Sequence, residues 1–270
     1  MSKHIVFIQT DERLESAISF SQYVFNGKRL ITLIGELHNT TFKCGDDVKS
    51  ISICNYCKQA VSKNTKARVL LEYSNGGKKC KPDDPYQMNS YSIRSICKKI
   101  EKIGRKNQII PLDKRPIFLS RKVQDDLYGK GWKKYKLHED FKKAFIDPFF
   151  NNKEYFDSIP PFLQTYYNKM VLFFEKIEKK ISKKEDLDSI HRELHDAWKL
   201  VADYFIIKEM LNDRNDVNEY ILIIGEAHRI NIDDVFDSLS KKTHIKIQKL
   251  GSTRHGKKNS CVELYETCQF

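Results

Sequence analysis

Two nearly identical segments constrain the fold of this chain more than any other feature. Residues 31–38 read Ile-Thr-Leu-Ile-Gly-Glu-Leu-His, and residues 221–228 read Ile-Leu-Ile-Ile-Gly-Glu-Ala-His. Continuous apolar runs rich in β-branched residues are typical of strands that are buried on both faces of a sheet, and a glycine suits a tight exit from such a strand. Each copy therefore predicts a buried strand that is followed directly by a carboxylate and an imidazole.

Similar runs recur along the chain with helical patterns between them. Amphipathic helices are predicted at about 46–62 and 91–103. The predicted strands are 4–8, 30–34, 68–71, 108–112, 220–224, 245–250 and 261–265. Alternation of this kind predicts an α/β fold with a mostly parallel central sheet flanked by helices.

The alternation breaks between about residues 116 and 217. This stretch has almost no strand-like runs, and helices are predicted at about 138–147, 160–182 and 185–212. We predict a large helical insertion at about 116–217, before the C-terminal strands, in a single composite α/β domain that spans 1–270.

The composition predicts a folded protein of the cell interior. With 40% hydrophobic and 11% aromatic residues, the 270-residue chain can bury a core. No stretch approaches the roughly 20 apolar residues of a membrane span, and the first residues lack the features of a signal peptide. We expect a cytoplasmic location. The Lys-, Ile- and Asn-leaning composition indicates an AT-rich genome, as in some large DNA viruses or protists. For a protein of a large DNA virus, the expected location is the virion or the host cytoplasm.

The net charge of +12 comes mostly from lysines scattered along predicted surface helices. Scattered lysine indicates a solvated surface or a general attraction to anions, because sequence-specific nucleic-acid recognition usually concentrates arginine and aromatic residues on one element. We therefore do not predict specific binding of nucleic acid.

Seven cysteines in a chain of this size predict reduced thiols. Cys54-Asn-Tyr-Cys57 lies in a predicted helix, where core packing is expected. A structural zinc would need two more ligands, and Cys44 and Cys80 are irregularly spaced for that purpose.

Ionisable side chains follow several of the predicted strands. The carboxyl ends of parallel strands lie along one edge of a sheet, where ligands bind in open α/β folds. The residues at these ends are Glu36, His38, Glu72, Asp113, Arg115, Glu226, His228, Arg229, Arg254 and His255. We predict that they converge on one cleft.

Two of these residues, His38 and His228, are predicted to belong to the site, because two strands carry the same unusual ending. For Glu72 or Asp113 taken alone, a helix-capping carboxylate after a strand is the favoured interpretation. Glu36 and Glu226 are predicted as supporting residues. On an extended segment each shares a face with the histidine two positions on, but each could also brace its own loop or orient a histidine. We predict Asp113 as a further supporting residue.

The predicted insertion contains a further pair, His191 and His195. At helical spacing the two imidazoles project from one face and could hold a metal. The segment lacks the glutamate of the His-Glu-x-x-His protease motif. A solvated or cleft-lining face is the simpler interpretation.

The paired Gly-x-x-His motifs, with a helical insertion between them, resemble the superfamily of TIKI/TraB proteins, erythromycin esterases and ChaN-like haem-binding lipoproteins. The resemblance covers about 29–115 and 219–265 and implies an active site of His38, His228 and Glu72. It implies metal-dependent peptide cleavage in one branch, metal-independent ester hydrolysis through a histidine-activated water in another, and haem binding in a third. The chain departs from the first and third branches in lacking a signal peptide or lipoprotein cysteine.

The leading hypothesis is an intracellular hydrolase-like protein, of peptidase or esterase type, with a small-molecule or peptide substrate. Water between His38 and His228 would be activated by a histidine base or by a divalent metal (Mn, Co or Zn) bound with Glu72. The residues predicted to bind substrate are Arg115, Arg229, Arg254 and His255. The alternative is a non-catalytic haem or small-ligand binder, or an inactive structural descendant of the same fold.

Overall fold

The computed structural model describes residues 5–36, 44, 49–72, 91–156, 159–212, 215–242, 246–254 and 261–269, with the backbone alone for 5–12, 91–92, 116, 121, 254 and 261–269. The chain forms two units, one of Met1–Leu112 with Met210–Phe270 and one of Asp113–Glu209. The second unit corresponds closely to the helical insertion predicted at about 116–217. The single-domain assignment stays a prediction.

The first unit is built on a six-stranded sheet and a smaller three-stranded sheet. The strands are β1 (Ile5–Glu15), β2 (Ala17–Phe25), β3 (Arg29–Glu36), β4 (Ser50–Ser52), β5 (Ala67–Leu71), β6 (Ile109–Pro111), β7 (Glu219–Gly225), β8 (Ile247–Arg254) and β9 (Cys261–Gln269). The larger sheet has the order β6-β5-β7-β3-β2-β8, and the smaller one has the order β4-β1-β9. β6, β5, β7 and β3 run parallel, whereas β2 is antiparallel to β3 and β8. The predicted α/β class and mostly parallel sheet are confirmed.

The two similar segments form β3 and β7, which lie side by side. Nearly every position of both strands is buried, as their continuous apolar runs predict. In the parallel register Gly35 pairs with Ile224, and Glu36 pairs with Gly225. The two copies are therefore displaced by one residue from the alignment of their sequences, so equivalent residues are not neighbours.

Within the first unit, helices pack on both faces of the larger sheet. The helices of the described residues, in both units, are α1 (Ile53–Lys63), α2 (Tyr91–Lys102), α3 (Arg115–Phe118), α4 (Arg121–Tyr128), α5 (His138–Phe145), α6 (Asp147–Asn151), α7 (Gln164–Ser182), α8 (Leu187–Leu211) and α9 (Glu226–Ser240). α1 and α2 pack on one face over a core that includes Phe20 and Ile34. α9 packs on the other face, where Phe236 meets the Tyr23 ring edge to face at 5.1 Å.

Two strands, β2 and β4, were missed by the sequence patterns. β2 is buried along its whole length, but Ser19, Ser21 and Gln22 interrupt its apolar character. β4 replaces the beginning of the helix predicted at 46–62. The Ser52 hydroxyl accepts a hydrogen bond from the backbone N–H of Asn55, so Ser52 is the N-cap of α1 and the helix begins only at Ile53.

The cysteines of α1 and α2 pack in the core. Cys54, Cys57 and Cys97 are buried thiols, and burial raises the pKa of Cys57 well above its usual range. The expectation that Cys54 and Cys57 pack in the core is therefore confirmed. Cys44 is disulfide-bonded, so the expectation of reduced thiols is wrong for that residue. Among the described helices, none is both long and apolar enough to cross a membrane.

The second unit has an aromatic core. Phe149 stacks on Phe174 at 3.9 Å, and the edge of Trp198 meets Phe174 at 5.3 Å. Trp198 Nε1 donates to the carbonyl of Phe145 at 3.0 Å, which satisfies its buried donor. α5, α7 and α8 correspond to the three predicted helices of this region.

We expect Tyr204→Phe in α8 to be neutral or to raise the free energy of unfolding by about 1 kcal/mol. Tyr204 is fully buried, and its hydroxyl has no hydrogen-bond partner among the described residues. Burial raises the pKa of Tyr204 to about 12. Tyr166→Phe is the matched control, because the Tyr166 hydroxyl donates to the carbonyl of Leu200 at 3.3 Å and its removal should cost about 1 kcal/mol. Urea unfolding measures both, and a larger loss for Tyr204→Phe would contradict the expectation.

Candidate functional site

The β7–α9 junction brings together several residues that the sequence analysis identified. α9 begins directly after β7, with Gly225 as its N-cap, Glu226 as its first residue and His228 as its third. β5 and β3 flank β7 in parallel, so Glu72 and Glu36 lie at the same edge of the sheet as Gly225.

Glu72 pairs with His228. Oε1 of Glu72 lies 3.3 Å from Nε2 of His228, and the two side chains are only 13% and 11% exposed. The other carboxylate oxygen, Oε2, accepts a hydrogen bond of 2.9 Å from the backbone N–H of Gly225. The carboxylate therefore holds the imidazole and the first turn of α9 together, next to the positive end of the helix dipole.

A second set of contacts holds the beginning of α9 on the sheet. Arg229 donates to both oxygens of Glu226, from Nε at 2.9 Å and from Nη2 at 3.2 Å. The Ser19 hydroxyl donates to Oε2 of Glu226, and Nη1 of Arg229 donates to the Ser21 hydroxyl at 2.8 Å. We call these four residues, Ser19, Ser21, Glu226 and Arg229, the α9 clamp.

Gly35 makes room for the α9 clamp. A methyl group at this position would overlap Oε2 of Glu226 and the hydroxyl of Ser19, and would lie 3.0 Å from Cδ of Arg229. Only glycine lacks a Cβ atom. Gly35 of the first motif is therefore required at the point where Glu226 of the second motif packs against the sheet.

Further ion pairs extend from the α9 clamp along the helix. Asp233 Oδ2 lies 3.4 Å from Arg229 Nη1 and 3.1 Å from Lys249 Nζ, and Asp233 also accepts a hydrogen bond from Tyr23. Burial alone would raise the pKa of Asp233, but the Tyr23 hydroxyl and the charges of Lys249 and Arg229 outweigh burial and lower it. Asp233 therefore stays ionised and ties α9 to β2 and β8.

Arg229 is fully engaged within the protein. Burial disfavours its charge, but the hydrogen bonds and charge of Glu226, reinforced by Asp233, raise the pKa of Arg229 overall. The residue is only 5% exposed, and Nε, Nη1 and Nη2 all have partners. This geometry favours a structural role, in which Arg229 holds α9 on the sheet. The role of Arg229 in substrate binding stays a prediction.

The two motif glutamates lie on opposite faces of the sheet. Glu226 folds over Gly35, and Glu36, the next residue of β3, points the other way. Glu36 is buried on the α1 face, where its charge adds to burial in raising the pKa of Cys54 and Cys57. The one-residue offset between β3 and β7 thus gives identical motif positions different surroundings.

Asp113 and Arg115 belong to the second unit, where they bind each other. Nε and Nη2 of Arg115 donate to the two Asp113 oxygens at 2.8 and 3.0 Å, and Nη1 donates to the Tyr128 hydroxyl at 2.9 Å. The Asp113 carboxylate also accepts from the backbone N–H of Arg115 at 3.0 Å. Asp113 thus accepts the N–H of the first residue of α3, but the N-cap position of that helix is Lys114, which makes no side-chain cap hydrogen bond.

His191 and His195 of α8 contact different aromatic side chains. The His191 ring stacks on Trp132 at 4.3 Å, and its Nε2 lies 2.7 Å from the carbonyl oxygen of Leu127. The His195 ring meets Tyr128 edge to face at 4.9 Å. In the part of the chain that the structure describes, no group of three His, Cys, Asp or Glu side chains could hold a metal ion.

Three predicted site residues have no described side chain. His38 and His255 lie outside the described residues. Arg254 is the last residue of β8, and its backbone pairs with Ser19. Arg254 therefore lies within β8. The strand predicted at 245–250 ended before this residue and placed it in the segment that follows.

The sequence analysis missed Ser19, Ser21 and Asp233. Both serines are on β2, in a run in which apolar or aromatic residues alternate with polar ones, and this alternation was the available signal. Asp233 lies one helical turn after Arg229, a spacing typical of an ion pair on a helix.

Comparisons with known proteins assign no family to this chain: no protein-family model, curated protein or solved structure matches it. Its function must be inferred from the geometry of Glu72, His228 and their surroundings.

Proposed function

We propose that the chain is a hydrolase of peptidase or esterase type in which His228, oriented by Glu72, activates water. The observation that supports this proposal is the 3.3 Å pairing of Glu72 Oε1 with His228 Nε2 at the carboxyl edge of parallel strands. A carboxylate beside an imidazole fixes the orientation of the ring and stabilises its protonated form. Both effects favour a histidine that acts as a general base. The paired Gly-x-x-His motifs support placing the chain with the TIKI/TraB superfamily, and this assignment is part of the proposal.

His38 is the second histidine of the proposal. It stands two positions after Glu36, the last residue of β3, and holds the position in the first motif that His228 holds in the second. His38 lies outside the described residues, so the repeated motif alone supports its place in the proposed site.

The proposed reaction is the addition of water to an ester or amide carbonyl. Nε2 of His228 faces Glu72, so Nδ1 is the nitrogen assigned to take a proton from water. The resulting hydroxide attacks the carbonyl carbon, and the imidazolium returns the proton to the leaving oxygen or nitrogen as the bond to it breaks. Glu72 stays ionised throughout and stabilises the imidazolium.

A metal-dependent version would need more ligands than His228 and Glu72. One oxygen of Glu72 already accepts the N–H of Gly225, and the described residues contain no group of three side chains that could hold a metal ion. By themselves they do not fit a Mn, Co or Zn site, so metal binding would depend on His38. The proposed steps use only protein side chains and water.

We expect His228→Gln and Glu72→Gln to lower kcat by about 10²- to 10⁴-fold, the usual contribution of an acid–base residue. The assay is hydrolysis of a panel of chromogenic esters and peptide amides by the full chain. His138→Gln is the matched control, because His138 lies in the second unit, where its Nε2 contacts the carbonyl of Glu185 at 2.8 Å. Full activity of His228→Gln would refute the mechanism.

A purely structural role for the same pair is the second candidate. Glu72 and His228 are largely buried, and Glu72 Oε2 is engaged by the backbone, which also suits a pair that only closes the turn into α9. In that case the wild-type chain hydrolyses no member of the panel, while both variants unfold more easily by about 1–3 kcal/mol.

A further inference from the structure

We infer that Ser19, Glu226 and Arg229 are positioning residues for His228, which fix the first turn of α9 so that the imidazole meets Glu72. The catalytic part of this inference rests on the proposed function. Its geometric part can be tested without any substrate.

The direction in which the His228 side chain points depends on how the first turn of α9 is rotated about the helix axis. Each residue of an α-helix is rotated by about 100° from the one before it, so a small rotation of the first turn would swing the third residue away from β5. Gly225, the N-cap, provides no side chain to fix that rotation. Contacts made by the neighbouring residues must do so.

Two anchors on different strands fix the turn. On the β5 side, Glu72 accepts the N–H of Gly225. On the β2 side, the Ser19 hydroxyl donates to Glu226, the first residue of the helix. Because the anchors hold successive residues from different directions, the first turn can neither slide along the sheet edge nor rotate without breaking one of them.

Arg229 makes the second anchor rigid. It binds both oxygens of Glu226, which fixes the plane of the carboxylate, and it binds Ser21 on the same strand as Ser19. All three contacts are removed from bulk water, since Arg229 is buried. Separating a buried ion pair is costly, so the α9 clamp has one stable arrangement.

The two sequence motifs thereby have complementary tasks. The first provides Gly35, the bare backbone on which the carboxylate rests, and the second provides Glu226 and His228. Different positions of the two similar segments thus contribute to one packing arrangement across two adjacent strands.

The test compares Glu226→Ala, Ser19→Ala and the conservative Glu226→Gln in the full chain. Lys249→Met is the matched control, because it breaks the ion pairs with Asp233 and Asp237 farther along α9 and leaves the clamp intact. Three quantities are measured: amide hydrogen exchange of Gly225 relative to Leu222 in the middle of β7, the ¹⁵N chemical shifts of the His228 ring, and kcat and KM on the ester panel.

For Glu226→Ala we expect the Gly225 amide to exchange at least about tenfold faster relative to Leu222, because loosening is local. The His228 ring shifts should change, and kcat should fall about 100-fold while KM changes little, as expected for a misplaced reacting group. Ser19→Ala and Glu226→Gln should show smaller changes in the same direction. Lys249→Met should leave all three quantities near those of the wild type.

An unchanged exchange ratio and unchanged ring shifts in Glu226→Ala would overturn the inference, whether or not the protein is an enzyme. An unchanged kcat in a variant whose ring shifts have moved would overturn it too. Changed exchange and shifts in a chain that hydrolyses nothing would support the positioning and refute the proposed function instead.

Discussion

Gly35→Ala is expected to lower the free energy of unfolding by about 3–5 kcal/mol, the range found when a buried ion pair loses a partner. The added methyl group would occupy the place of Glu226 Oε2 and of the Ser19 hydroxyl. To avoid it the carboxylate must leave Arg229, which is buried and cannot regain its hydration. Equilibrium unfolding in urea, followed by circular dichroism, measures the loss.

Two comparisons isolate this cause. Gly27→Ala is a matched substitution at a glycine with φ of +65° and no atom within 4 Å of the added Cβ, so it should cost only about 1 kcal/mol of backbone strain. In a Ser19→Ala, Glu226→Ala background the overlap is gone, and Gly35→Ala should cost far less than in the wild type. A cost that is the same in both backgrounds would show that the α9 clamp is not what requires glycine at this position.

The strands that the sequence predicted best are those whose burial is uniform. β3, β5 and β7 are buried at almost every position, and most of their residues are apolar. The same uniformity hides their register, since a strand without polar alternation does not show how far it is shifted against its neighbour. The offset that places Gly35 beside Ile224 was therefore not visible in the repeated motif.

The candidate site was predictable to the extent that it depends on strand ends. Glu72 and His228 were predicted to meet because both follow parallel strands, and the structure pairs them. Ser19 and Asp233 depend on an antiparallel strand and on the rotation of α9, which are set by non-local packing. The identical Gly-Glu pairs also indicated that Glu36 and Glu226 have equivalent places. In the structure the two glutamates lie on opposite faces of the sheet.

Arg29→Ala is expected to lower the free energy of unfolding by about 3–5 kcal/mol, because it removes the hydrogen-bond donors of several carbonyl groups at once. The buried guanidinium of Arg29 donates to the carbonyls of Met210 at 3.1 Å, Asn212 at 2.6 Å and Val217 at 3.3 Å. Met210 is in the last turn of α8, whose carbonyls have no partner within the helix, so the cation also complements the negative end of the helix.

The fork of donors makes arginine specific at position 29. Lysine keeps the charge, but its single ammonium group cannot reproduce the planar fork that reaches three carbonyls, so Arg29→Lys should recover only part of the loss. Arg68→Ala is the matched control: Arg68 is only partly buried, and its ion pair with the exposed Asp216 is 3.5 Å long, so its loss should cost about 1 kcal/mol or less. Urea unfolding of the three variants ranks them, and an Arg29→Ala variant no less stable than Arg68→Ala would mean that the three carbonyls are satisfied without the guanidinium.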